Sequence, residues 1–143
     1  MPKSIFVNLP VTDVARATAF YEALGFEKNP MFSNAQASSM TWSDSIAVML
    51  LDHAFYATFT AKRIIDAHEQ SGVLLALSLD DRAAVDTITQ AALAAGGREL
   101  HDPEDHGFMY SRAFEDPDGH GWGPFHMDMA AAAQAMTQQP AEA

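Results

Sequence analysis

Six histidines, nineteen acidic side chains and no cysteine set the chemistry open to this 143-residue chain. Without a thiol there is no cysteine nucleophile and no thiolate zinc site. The densest polar cluster is His101, Asp102, Glu104, Asp105 and His106, close enough in sequence to chelate an ion. A solvated acidic loop is the preferred reading, because ligands without a rigid supporting shell bind weakly. His120 follows the turn Asp116-Pro117-Asp118-Gly119 and reads as its cap, while His53 and His68 have no readable partner. His126 shares a strand face with Trp122 and Pro124, opposite Gly123 and Phe125, and is expected outside a pocket on the concave face. No two histidines have the i, i+4 spacing of a helical metalloprotease site, no serine sits in a Gly-x-Ser-x-Gly elbow, and no glycine-rich phosphate loop is present. Tyr110 is the candidate for proton transfer. With Arg112 two residues along the same strand face, its phenol could bind an anionic or carbonyl group or donate a proton.

Two copies of one pattern supply the elements that would position these groups. Phe6-Val7-Asn8-Leu9-Pro10-Val11-Thr12-Asp13 aligns with Leu74-Leu75-Ala76-Leu77-Ser78-Leu79-Asp80-Asp81, each an apolar strand-like run ending in a residue suited to cap a helix. Apolar side chains then recur at Val14, Ala17, Tyr21 and Leu24 before Gly25, and at Val85, Ile88, Ala92 and Ala95 before Gly96 and Gly97. That rhythm is one helical face closed by glycine. Strand-like stretches follow at 27–32, 37–43 and 46–51 in the first half and at 98–101, 108–115 and 121–127 in the second. The fold class is α+β: two βαβββ modules, at 3–52 and 73–128, forming a curved mixed sheet with a concave pocket and helices outside. Together they make one domain over 1–128. A connector occupies 53–72, where Ile64, Ile65 and His68 predict one face of a short helix. The alanine-rich tail, 129–143, lacks apolar periodicity to dock it and reads as a mobile end.

Strand alternation sorts the first strand of each module into two faces. Val7, Leu9, Val11, Leu75, Leu77 and Leu79 are branched aliphatics, as a face beneath a helix should be. Phe6, Asn8, Pro10, Leu74, Ala76 and Ser78 mix polar, small and aromatic groups, which suits a pocket wall better than a core layer. Composition closes off other classes. The formal charge is -11, and the eight lysines and arginines form no contiguous stripe, so nucleic acid and anionic membrane are excluded as partners. The apolar run at 46–51 is far short of the roughly 20 residues of a membrane helix, and Met1-Pro2-Lys3 leads into no signal-like stretch; a cytoplasmic protein is expected.

Over residues 3–128 the chain resembles the vicinal oxygen chelate superfamily, which groups glyoxalases, bleomycin-resistance proteins and extradiol dioxygenases, and in particular glyoxalase-like bacterial proteins. The resemblance rests on Val11-Thr12-Asp13, Phe20-Tyr21 and Leu24-Gly25-Phe26, and on the block Phe114-Glu115-Asp116-Pro117-Asp118-Gly119-His120. It implies one metal ligand on the first and one on the last strand of each module, turned to the concave face. Those places fall at Phe6, Met49, Leu74 and Gly123, where metal-dependent relatives carry His, Glu or Gln. None of the four holds a hard divalent cation: two are hydrocarbon, glycine has no side chain, and a lone thioether is soft. A change of register along the same strand faces brings in only Asn8 and Ser78. Isomerisation and ring cleavage in the family draw on the metal's Lewis acidity, so no such activity is carried over, and no cofactor is expected.

Three readings follow. The preferred one is a metal-independent protein that binds or sequesters a small molecule, as bleomycin-resistance-like relatives do. Its pocket would be built from Phe6, Asn8, Met49, Leu74, Ser78 and Tyr110, with Arg112 beside it, and the -11 charge would steer a basic drug toward it. The second is a lyase or isomerase of the lactoylglutathione-lyase-like group, using either a divalent metal at a non-standard site in the 101–106 stretch or Tyr110 with a bound water. A glutathione conjugate is disfavoured there, since only Arg112 stands ready to meet its carboxylates. The third is an interaction domain whose concave face is filled by Phe6, Met49 and Leu74. The resemblance also implies a homodimer, since family members commonly pair modules across two chains; the sequence is compatible with closure of the modules within the chain or across it.

Overall fold

Asp13 and Asp81 each follow a strand and open a helix. Their carboxylates accept from Arg16 N at 3.0 Å and Ala84 N at 2.7 Å, satisfying amides that the first helical turn leaves bare. The computed structural model describes residues 3–138, and the repeat is visible throughout it. The first module runs β1 (Ile5–Val11), α1 (Val14–Ala23), β2 (Glu27–Lys28), β3 (Ala37–Ser43) and β4 (Ile46–Asp52). After a short helix α2 (His53–Tyr56), the second runs β5 (Leu74–Ser78), α3 (Arg82–Ala94), β6 (Arg98–Asp105), β7 (Met109–Glu115) and β8 (Gly121–Met127), followed by α4 (Met129–Gln138). No helix among the described residues is long and apolar enough to cross a membrane.

Each module folds into a four-stranded mixed sheet, ordered β1-β4-β3-β2 and β5-β8-β7-β6, with the first and last strands parallel. The two sheets are separate: β1 and β5 are each the edge of their own sheet. The modules are joined instead by one core. Leu9, Val11, Phe20, Tyr21, Met40, Val48 and Leu50 pack with Leu77, Ile88, Ala92, Phe114 and Trp122. The Tyr21 ring lies 5.8 Å from that of Trp122, edge-on, and Phe20 lies 6.3 Å from Phe114, so α1 is anchored to both halves.

Several boundaries differ from the sequence pattern. The expected strand at 27–32 shrinks to Glu27–Lys28 and gives way to a single 3-10 turn, Pro30–Phe32, because Pro30 has no amide to donate and the Asn29 side chain caps Met31 N at 3.1 Å. The connector's helix is α2, capped by Asp52 on Phe55 N at 2.8 Å; Ile64, Ile65 and His68 form no helix and precede or enter a turn closed on the Asp66 carbonyl. β6 continues past His101 to Asp105 through two register shifts against β7. As an edge strand it tolerates Pro103, whose missing amide would break an inner ladder. Within the expected tail, Asp128 accepts from Ala131 N at 3.0 Å and opens α4, whose Ala132 is buried.

Candidate functional site

The helix-facing side of each first strand is apolar and closed: Leu9, Val11 and Leu77 are buried in the core. The opposite side is open. Phe6 is 61% exposed and Leu74 75%, and Asn8, Ala76 and Ser78 are exposed beside them, as strand alternation predicts. Pro10 is the exception, buried where its carbonyl meets His120. In the single chain Phe6 and Leu74 therefore stand out from these faces rather than packing into them.

The predicted wall residues fall into different places. Phe6 and Met49 share a cleft of about 430 Å³ with Asn29, Phe32, Ser39, Thr41 and Asp44, on the free face of the first sheet. Its floor is set by pairing: Asn8 stands opposite Met49 in the parallel ladder, and Ser39 opposite Met49 in the antiparallel one. Asn8 and Leu74 line a separate cavity of about 680 Å³ beneath the connector. Ser78 remains on the exposed face of β5, and Gly123 pairs with Ala76 across the β5–β8 ladder. The four positions the resemblance assigns to metal ligands thus offer no nitrogen or oxygen side-chain donor, and Phe6 and Leu74 line different cavities. The residues present do not fit a divalent cation.

Tyr110 and Arg112 require a correction. They come together, but on the helix side of the second sheet rather than in the concave pocket. The Tyr110 hydroxyl donates to Asp86 of α3 at 2.6 Å; Arg112 donates to the same carboxylate at 3.1 Å and to Glu99 of β6 at 2.8 and 3.0 Å. The cause is parity: both residues alternate in step with Phe114, which is buried in the core. The hydrogen bond to Asp86, followed by desolvation, holds the Tyr110 phenol above its ordinary pKa, and the Arg82 guanidinium sits 5.2 Å from its ring centre. A phenol already committed to a carboxylate is a strut between α3 and the sheet.

The 101–106 stretch lies along β6 and just beyond it rather than in a loop. His101 and His106 approach Glu104 at 3.8 and 3.4 Å, while Asp105 is held by Arg82 at 2.7 Å, which brings its carboxyl down to about 2. Among the described residues no three His, Asp or Glu side chains gather as a metal-holding group.

Sequence reasoning misses a buried polar network. Asp116 Oδ1 accepts from Asp118 N and His120 N, both at 2.9 Å, and its Oδ2 accepts from the Tyr21 hydroxyl at 2.6 Å. Trp122 Nε1 donates to that hydroxyl at 3.0 Å. His120 is buried, with Nε2 2.6 Å from the Pro10 carbonyl; a carbonyl only accepts, so Nε2 carries the proton. Burial drives both the Asp116 carboxyl and the Tyr21 phenol above their ordinary pKa values. Asp118 Oδ1 accepts from Thr12 N and Oγ1, both at 2.9 Å. In the sequence its members stand only as separate motifs, Phe20-Tyr21 and the Asp116-Pro117-Asp118-Gly119 turn, with Tyr21 and Asp116 95 residues apart.

Comparisons agree with this architecture. Residues 3–36 match a family model described as bleomycin resistance protein-like N-terminal. No curated protein matches the chain. Among solved structures, a hypothetical protein from S. aureus superposes with a TM-score of 0.74 at 24% identity, over 88% of this chain and 95% of that one. A glyoxalase/bleomycin resistance protein/dioxygenase family enzyme from Burkholderia phytofirmans gives 0.72 at 20% identity, over 88% and 99%. A bleomycin resistance determinant encoded on the transposon Tn5 gives 0.62 at 24% identity, over 89% and 99%.

Proposed function

Starting from a chain with the vicinal oxygen chelate fold, we propose that this protein is a metal-independent small-molecule-binding protein of the glyoxalase/bleomycin-resistance type, acting in the cytoplasm to sequester its ligand. The observation that carries the reading is the pairing of open concave faces with a set of ligand positions, Phe6, Met49, Leu74 and Gly123, that offers hydrocarbon, sulfur and nothing. The cleft around Phe6 and Met49 has the make-up of a recognition site. Aromatic and thioether groups give it body, and Ser39, Thr41 and Asn29 give it a few hydrogen-bonding groups. Asp44 on its rim and the net charge of -11 favour a cationic, partly aromatic ligand. We further propose a homodimer, in which the first module's face meets the second module's face of another copy, covering Phe6 and Leu74.

Two measurements test this. Calorimetric titration with metal-free bleomycin and a panel of cationic aromatic drugs, in the presence of EDTA, is expected to give saturable binding for at least one compound. Light scattering on the eluting protein is expected to give the dimer mass. Near-stoichiometric metal on protein purified without chelator or tag, lost when His101 and His106 become alanine, overturns the metal-independent reading and favours the lyase or isomerase one. Absence of saturable binding across the panel overturns the cationic-ligand reading.

A further inference from the structure

The roughly 680 Å³ cavity under the connector has a charge unlike the rest of the molecule. Its cations are Lys62, Arg63 and Arg98 and its anions Glu69 and Glu115, a surplus of one positive charge in a chain of formal charge -11. Arg98 is already committed to Glu115 at 2.9 Å. Lys62 and Arg63 are not. Arg16, Arg82, Arg98 and Arg112 each meet a carboxylate, whereas the side chains of Lys62 and Arg63 make no ion pair or hydrogen bond among the described residues. Exposed Asn8, also on the lining, has no side-chain partner among them either.

The connector just beyond the two cations is held in place. Gly119 has φ +93°, and a Cβ there would come within 2.6 Å of Ala67 C and His68 N, so the connector lies directly on the β7–β8 turn. His68 Nε2 pins it further, 3.1 Å from the Pro117 carbonyl, and the Asp66 carbonyl accepts from Glu69 N and Gln70 N at 3.0 and 2.8 Å. Between the connector and the sheet edges the lining is apolar: Val7, Pro10, Ile64, Ile65, Leu74 and Leu100. A preformed apolar cavity of this size with free cations on its rim meets the general requirements of a ligand site.

We propose that this cavity binds an amphipathic monoanion, a medium-chain carboxylate, with its chain against Ile64, Ile65 and Leu100 and its head at Lys62 and Arg63. A dianion is disfavoured by Glu115 and Glu69 on the same lining. The site is distinct from the concave cleft around Phe6 and Met49.

The test is calorimetric titration of the full chain with octanoate, octanamide and octylamine. Octanoate binds about tenfold more tightly than octanamide, and octylamine more weakly still, if charged hydrogen bonds supply the difference. Lys62→Gln with Arg63→Gln brings octanoate to the level of octanamide, while Lys3→Gln with Lys28→Gln, the same charge change elsewhere, leaves it unchanged. Ile65→Trp blocks octanoate by filling the cavity while circular dichroism stays native. The proposal is overturned by no octanoate binding, by equal affinity for the amide, by equal loss in the control pair, or by octanoate binding that survives Ile65→Trp.

Discussion

Tyr21→Phe removes one oxygen atom from the core, and its cost follows from what that oxygen does. It donates to Asp116 Oδ2 at 2.6 Å and accepts from Trp122 Nε1 at 3.0 Å, with Tyr21 wholly buried. The phenylalanine ring fills the same space, so packing is nearly unchanged. A hydrogen bond to a charged group contributes about 1.5–3 kcal/mol, and a buried indole N–H left without an acceptor costs about 1–3 kcal/mol. Allowing for the overlap of two losses at one atom, the variant is expected to be destabilised by about 3 kcal/mol. That corresponds to a fall in Tm of roughly 10 °C for a domain of this size. The pH dependence carries the sharper test. Burial gives Asp116 a folded-state pKa above its unfolded value, so the folded state holds the proton more tightly and stability falls as pH rises through that folded value. The Tyr21 hydroxyl favours the charged carboxylate; without it the folded pKa rises further. The penalty of Tyr21→Phe is therefore fully present above that pKa and shrinks as pH falls through it. Urea titrations over a pH series falling from about pH 7.5 to the ordinary carboxylate range measure both quantities. A loss under about 1 kcal/mol at the top of the series, or an equal loss throughout it, refutes the reasoning.

Tyr110→Phe loses the bond to Asp86 on a partly exposed face, so unfolding experiments should show a cost of about 1 kcal/mol, and ligand titrations should show no change in affinity for compounds held in the concave cleft. Gly119→Ala places a methyl group on the connector backbone at a φ of +93°; a cost of about 2 kcal/mol or more, with altered amide resonances at Ala67 and His68, is expected. Phe6→Glu alters a side chain that is 61% exposed in the single chain, so circular dichroism should stay native while light scattering shows the monomer mass in place of that of the proposed dimer.

Features written in local sequence are legible. The Asp13 and Asp81 caps, Gly25 and Gly96 with φ of 104° and 105°, and the apolar rhythm between them each act within a turn or two of chain, and both helices form as read. The division of β1 and β5 into a closed and an open face needs only period-two alternation, and Leu9 and Leu77 against Phe6 and Leu74 follow it. Non-local pairing is where the reading stops. Tyr110 and Arg112 find Asp86 at separations of 24 and 26 residues, and no spacing rule announces that carboxylate. Parity with Phe114 was the available clue to their face. The two blocks that carry the family resemblance touch each other, Thr12 on Asp118 across 106 residues and Tyr21 on Asp116 across 95. Their side chains hold the two modules together, which is a structural role, and the sequence alone shows them only as separate motifs.

The modules share what holds the fold and differ on their open faces. Equivalent positions on the open faces pair Phe6 with Leu74, Asn8 with Ala76, and Met49 with Gly123, so one wall is bulky and the other hollow. In the proposed homodimer, facing such walls across two copies would give an asymmetric cleft able to hold an unsymmetrical ligand in one orientation. Magnitudes say what closes it. Covering Phe6 and Leu74 contributes about 1.5–3 kcal/mol each, or roughly 6–12 kcal/mol for four side chains in a dimer. Association costs an estimated 4–15 kcal/mol, so these four side chains alone leave the pair near balance. Further exposed groups, Phe32 and Ile46, must be covered as well, or the ligand must supply the rest. In the second case ligand binding and dimerisation are linked by mass action, and the apparent affinity of the ligand rises with protein concentration.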